Sequence, residues 1–97
     1  MHIGVCRLTF HLPDAHSLKD KRQVARSLTS RIRNQFNVAV AEESDDQLWQ
    51  SLTLVICSVS NDASHANAIL SRVADFVAQS RPDLELMDYE TEIVSGV

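Results

Sequence analysis

The spacing of apolar residues switches between period two and period 3.6 in the order two, 3.6, two, two, 3.6, two. That order restricts the fold more than any single motif does. The segment IGVCRLTFHL (3–12) alternates, with Cys6, Leu8, Phe10 and Leu12 on one face and Val5, Arg7, Thr9 and His11 on the other. One apolar face at period two predicts a half-buried strand. Pro13 has no amide hydrogen to donate and ends the ladder. Ser17 is placed to cap a helix, with Asp20 three residues on as a weaker form of the capping-box acid.

From Leu18 to Phe36 the apolar residues Leu18, Ala25, Leu28, Ile32 and Phe36 recur at helical spacing. At 100° per residue they fall within an arc of roughly 80°, the buried stripe of an amphipathic helix. Lys19, Arg22, Arg26 and Arg33 fall within a separate arc of roughly 60°. The helix therefore carries one apolar stripe and one neighbouring cationic stripe.

NVAVAE (37–42) predicts a second strand, EESDDQ (42–47) a hairpin-like connection, and LWQSLTLVICSVS (48–60) a long third strand. In that strand Leu52, Leu54 and Ile56 face one way and Val55, Cys57 and Val59 the other, which marks a central position. NDAS (61–64) offers N-caps for a helix with Ala66, Ile69, Leu70, Val73, Phe76 and Val77 on one stripe. SRPD (80–83) breaks it, and LELMDYETEIV (84–94) alternates again as a last strand. No internal repeat, linker or low-complexity tract interrupts this pattern.

A strand-helix-strand-strand-helix-strand order with two right-handed crossovers predicts an α+β, ferredoxin-like βαββαβ sandwich. Its antiparallel sheet would have the order 4-1-3-2, with both helices on one face. The 97 residues are expected to form one domain, residues 1–97, around one core. Such a sheet gathers the 12–17, 42–48 and 80–84 loops at one edge.

Charge is unevenly spread. Residues 1–33 hold seven basic and two acidic side chains, whereas residues 34–97 hold two basic and eleven acidic ones. An acidic chain with its positive charge collected on one helix suggests either internal complementarity or a patch for an anionic partner. The run LTLVICSV (52–59) is far too short for a membrane span, and no secretory signal is read at the start. Two cysteines without metal-site spacing predict a reducing, cytoplasmic setting.

Enzymatic chemistry finds little purchase. His11 and His16 straddle a proline near Glu42, Glu43, Asp45 and Asp46, without regular ligand spacing. Cys6 and Cys57 lie on inner strands, where a thiol is expected to be inert packing. Gly4 and Gly96 are the only glycines, so no phosphate-binding loop can be built. No catalytic residue, metal or cofactor is expected. Base stacking on the open sheet face is not expected either. Of Phe10, Phe36, Trp49, Phe76 and Tyr89, most sit at core-phase positions, and Trp49 is assigned to the core rather than to an interface. Arg7 is expected to pair with Glu90 or Glu92 across the sheet.

The segment LPDAHSLKDKRQVARSLTSRIRNQFNVAVAE resembles the YlxP-like family of small bacterial proteins. The resemblance rests on Leu12-Pro13, Ser17-Leu18-Lys19 with Lys21-Arg22, Ser27-Leu28, Arg31, the Phe36-to-Glu42 block, Leu48-Trp49-Gln50 and Ser60-Asn61-Asp62. It spans essentially the whole chain. It implies a ferredoxin-like fold and a role around the ribosome or its RNA, with no catalytic residues to carry over. The expected function is therefore non-enzymatic binding of structured, ribosomal or other RNA by the first helix. Lys19, Arg22, Arg26 and Arg33 would form the surface, assisted by Lys21 and Arg31 where they reach solvent. The competing expectation is a homodimeric interaction module using the open sheet face, where Val5 and one face of the third strand are apolar.

Overall fold

The computed structural model describes residues 1–43 and 45–97. Ser44, inside the expected hairpin-like connection, lies outside the described residues. The elements are β1 (His2–His11), α1 (Leu18–Gln35), β2 (Ala39–Glu42), β3 (Ser51–Ser60), α2 (Ala63–Ser80) and β4 (Glu85–Ser95). The four strands form one antiparallel sheet in the order β2-β3-β1-β4, so β1 and β3 are central and β2 and β4 are the edges. Read from the other side, this is the 4-1-3-2 order that the periodicity predicts. Both helices cover one face.

The expected faces hold. Cys6, Leu8 and Phe10 of β1 and Leu52, Leu54 and Ile56 of β3 are buried beneath the helices, and they meet Leu28 and Ile32 of α1 and Leu70, Val73 and Val77 of α2. Phe36 and Phe76 close the core between the helices, edge to face, with ring centroids 5.5 Å apart. Gly4 lets α2 approach β1 closely. A methyl group there would lie 2.9 Å from Ser58 Oγ, 3.0 Å from Leu70 Cδ1 and 3.3 Å from the Ala66 carbonyl oxygen.

Two strand boundaries differ from expectation. The second strand begins at Ala39 rather than Asn37, and β3 begins at Ser51 rather than Leu48. Residues 45–50 turn instead of extending, because the Leu48 amide donates to the Asp45 carbonyl and the Ser51 amide to the Leu48 carbonyl. The turn carries Trp49 out of the core, where it is 50% exposed, and its neighbour Leu48 is 54% exposed.

The cysteines occupy opposite faces of the sheet. Cys6 pairs in register with Ile56 beneath the helices, while Cys57 opposes Val5 on the uncovered side and is only half-buried. Burial pushes the Cys6 thiol up to about 11, and a hydrogen bond from the Tyr89 hydroxyl offsets part of that rise. The uncovered face divides in two. Ile3, Val5, Val55, Cys57, Val59 and Val94 make one half mostly apolar, interrupted by Glu92, the partner of Val5 on β4. On the other half Arg7 bridges Glu43 at 2.9 Å and Glu90 at 3.5 Å. The pairing with Glu90 is as expected, and the closer carboxylate is Glu43.

Candidate nucleic-acid interface

Helix α1 is positioned by its first turn. Ser17 Oγ accepts from the Asp20 amide at 3.1 Å, and the Asp20 carboxylate accepts from the His16 amide at 3.0 Å. The first bond satisfies a backbone donor that the helix leaves orphaned, the second ties the preceding residue to the first turn, and together they fix where the stripes point. Buried Ala25, Leu28 and Ile32 then hold the apolar stripe against the sheet. The orientation of every other side chain follows from its angle to that stripe.

Lys19, Arg22, Arg26 and Arg33 are all exposed, in one strip running roughly 20 Å along the helix at 1.5 Å per residue. Arg22, Arg26 and Arg33 line one wall of an open groove of about 700 Å³ between α1 and the edge strand β2. Val40, Ala41 and Glu42 form the facing wall. Arg33 is anchored there, donating from Nη2 to the Val40 carbonyl at 2.7 Å. Arg22 lies 3.8 Å from Asp46, with both side chains more than half exposed (54% and 63%). A solvated pair of that kind contributes only about 0–1 kcal/mol and readily exchanges partners. Among the described residues, Lys19 and Arg26 make no ion pair. Three guanidinium groups thus meet two carboxylates: Glu42 on the facing wall of the groove and Asp46, beside Arg22.

Two of the expected contacts do not belong to this surface. Arg31 is exposed but sits roughly 150° around the helix from the centre of the strip, so it faces elsewhere. Lys21 is fully buried, at 0% exposure. Its ammonium donates to the Asp45 carbonyl at 2.7 Å and to the Leu48 carbonyl at 3.1 Å. The signal was in the sequence: Lys21 lies at roughly 300° from Leu18, inside the apolar arc rather than the cationic one. A lysine at such a position must either snorkel out or find acceptors within, and the 45–48 turn supplies them.

The same turn is held from its other side. The Gln50 side-chain amide donates to the carbonyls of Pro13 and Ala15, each at 3.2 Å, and the Leu12 amide donates to the Gln50 carbonyl at 2.9 Å. His11, His16, Gln47 and Gln50 surround Leu48 and Trp49 in a second open depression, of about 630 Å³. Among the described residues, no three His, Cys, Asp or Glu side chains come close enough to hold a metal ion. No helix is long and apolar enough to cross a membrane, again among the described residues.

The model of a protein family of unknown function, DUF503, matches residues 3–91. The chain belongs to this family. Over 90 residues it is 33% identical to the Bacillus subtilis (strain 168) protein called Uncharacterized protein YlxP, covering 93% of this chain and 97% of that one. The resemblance read from the SLKDKR and FNVAVAE blocks is thereby borne out.

Solved structures agree on the fold alone. A de novo designed protein with a ferredoxin fold superposes with a TM-score of 0.54 at 12% identity, covering 100% of this chain and 88% of that one. A Chloroflexus aurantiacus protein described as an antibiotic biosynthesis monooxygenase superposes with a TM-score of 0.58 at 14% identity, covering 100% and 96%. Within the family member described here, Lys21 of the SLKDKR block and Gln50 of LWQ meet in one place, at the 45–50 turn.

Proposed function

We propose that this protein is a non-enzymatic, cytoplasmic RNA-binding protein that holds the phosphate backbone of structured RNA along α1. The observation that carries this reading is the groove wall of Arg22, Arg26 and Arg33, continued by Lys19, in a chain whose net charge is −4. Guanidinium groups on a rigid helix match phosphate geometry, and their attraction is long-ranged and salt-sensitive. One weak, exposed ion pair does not neutralise such a strip. Arg33, already bonded to the Val40 carbonyl, still has donors free to turn outward. Two free cysteines on opposite faces of the sheet suit a reducing compartment.

A filter-binding titration with a structured RNA over a range of salt concentrations tests the reading. Replacing Arg22 and Arg26 together with Glu is expected to abolish measurable binding near physiological salt. Each single Arg→Ala change is expected to flatten the salt slope by about one. Arg31→Glu, off the strip, serves as the control and leaves affinity nearly intact. Equal affinity of the wild type and the double Glu variant overturns the proposed surface.

A second reading has its own observation. The apolar half of the open sheet, with Val59 63% exposed, suits pairing with a second copy. Light scattering decides: a monomer at high concentration removes that reading, and a dimer broken by Val59→Lys supports it.

A further inference from the structure

Burying a lysine is expensive, and here the expense goes to a loop. Lys21, at 0% exposure, grips the carbonyls of Asp45 and Leu48 from inside. Gln47 and Leu48 close the turn through Asp45, and Gln50 ties its far end to Pro13 and Ala15. A turn held at this many points is rigid, yet its tip presents Leu48 and Trp49 to water at 54% and 50% exposure. Large apolar side chains fixed in solvent on a braced turn are not explained by the core.

The surroundings narrow what could cover them. The depression is open and contains a flat indole, two imidazoles (His11 and His16), the amide of Gln47 and the side-chain carbonyl of Gln50, whose NH2 is already bonded to Pro13 and Ala15. An aromatic face ringed by donors and acceptors suits a planar heterocycle better than an aliphatic side chain. The depression also adjoins the cationic strip: Arg22, in the N-terminal part of the strip, lies 3.8 Å from Asp46, three residues before Trp49 on the same turn.

We propose that Trp49 is a stacking platform for an unpaired base of an RNA strand whose phosphates lie on α1. This rests on the phosphate-binding reading of α1 and adds that the ligand has an unpaired segment. The buried Lys21 is a positioning residue that holds the platform at a set distance from the strip.

Trp49 is the sole tryptophan in the chain, so its fluorescence reports the platform without labelling. The 97-residue chain is titrated with a single-stranded RNA of about ten nucleotides, within the usual site size for such grooves, and with a blunt duplex of that length. Quenching and anisotropy are recorded together. The single strand is expected to quench Trp49 with the same midpoint as binding, whereas the duplex binds without quenching. Trp49→Ala is expected to lose about tenfold in affinity for the single strand, Trp49→Phe less, and neither much for the duplex. Because Trp49 is half exposed, both variants keep the fold, which circular dichroism verifies.

Binding that Arg22→Glu/Arg26→Glu abolishes, but that leaves Trp49 emission and the Trp49→Ala affinity unchanged, overturns the platform and leaves the cationic surface standing. Quenching that survives the double Glu change overturns the cationic surface and keeps the platform. No binding of either RNA overturns both. A blue shift of Trp49 with rising protein concentration and no RNA assigns the shelf to a second copy, which also overturns the proposal.

Discussion

Replacing Lys21 separates the packing of its stem from the electrostatics of its head. The side chain is fully buried and makes two hydrogen bonds, 2.7 Å to the Asp45 carbonyl and 3.1 Å to the Leu48 carbonyl. In Lys21→Met the stem volume is kept and the charge removed. Two charge-assisted bonds, about 1.5–3 kcal/mol each, are lost. Removal of the ammonium's desolvation penalty, itself several kcal/mol, offsets much of this. The carbonyls belong to exposed residues, so water can reach them once the turn loosens. The expected net loss is about 1–3 kcal/mol.

Relative to methionine, Lys21→Ala lacks three further apolar heavy atoms (Cγ, Sδ and Cε), worth about 2.4 kcal/mol at roughly 0.8 kcal/mol each, and leaves a cavity beside the core. Alanine is therefore expected to be about 2–4 kcal/mol less stable than methionine. That difference is firmer than either absolute value, since the charge terms cancel in it. Urea unfolding followed by circular dichroism measures it, and in a domain of this size it corresponds to a melting difference of roughly 10–25 °C. Lys19→Ala on the exposed strip is the control, expected within about 0.5 kcal/mol of wild type. If the Ala and Met variants unfold at the same urea concentration, or both match wild type, Lys21 is not packed as described. Acrylamide quenching of Trp49 adds a local readout: it should rise in Lys21→Met as the turn is released.

Gly4→Ala places a methyl group 2.9 Å from Ser58 Oγ and 3.0 Å from Leu70 Cδ1, and is expected to destabilise by about 1–3 kcal/mol in the same urea assay. Asp62 caps α2 by accepting from the His65 and Ser64 amides, and these bonds hold its carboxyl below the usual value. A depressed folded-state pKa contributes stability that is present above the unfolded-state value and lost as pH falls through the folded one. Asp62→Asn keeps a cap but cannot titrate, so its stability should decline less between pH 5 and pH 2, as read by thermal melts across that range. Cys57 on the open face should react with a thiol reagent in the folded protein while Cys6, its thiol raised to about 11 by burial, stays unmodified until denaturant is added; mass spectrometry of the adducts checks this.

The periodicity of the chain was sufficient for the elements, their order and their faces. The alternation of Cys6, Leu8 and Phe10 and of Leu52, Leu54 and Ile56 has one low-energy solution, with those residues under the helices, and the structure adopts it. The strip of Lys19, Arg22, Arg26 and Arg33 was equally legible, since a helix sets angular position from residue number alone. Lys21 was legible in part. Its angle placed it in the apolar arc, but its partners lie 24 and 27 residues away in sequence.

Contacts across the fold decided the rest. Whether Trp49 extended β3 into the core or turned outward depended on the 45–50 segment meeting α1 and the 12–17 loop, and no local pattern in LWQSLTLV encodes that meeting. Likewise, only the tertiary arrangement brought Glu43 to Arg7 and set β2 opposite the arginines to form a groove. Local periodicity determines which way a side chain points. What it meets there depends on loop closure between distant segments, and for polar and aromatic residues that meeting decides between burial and exposure.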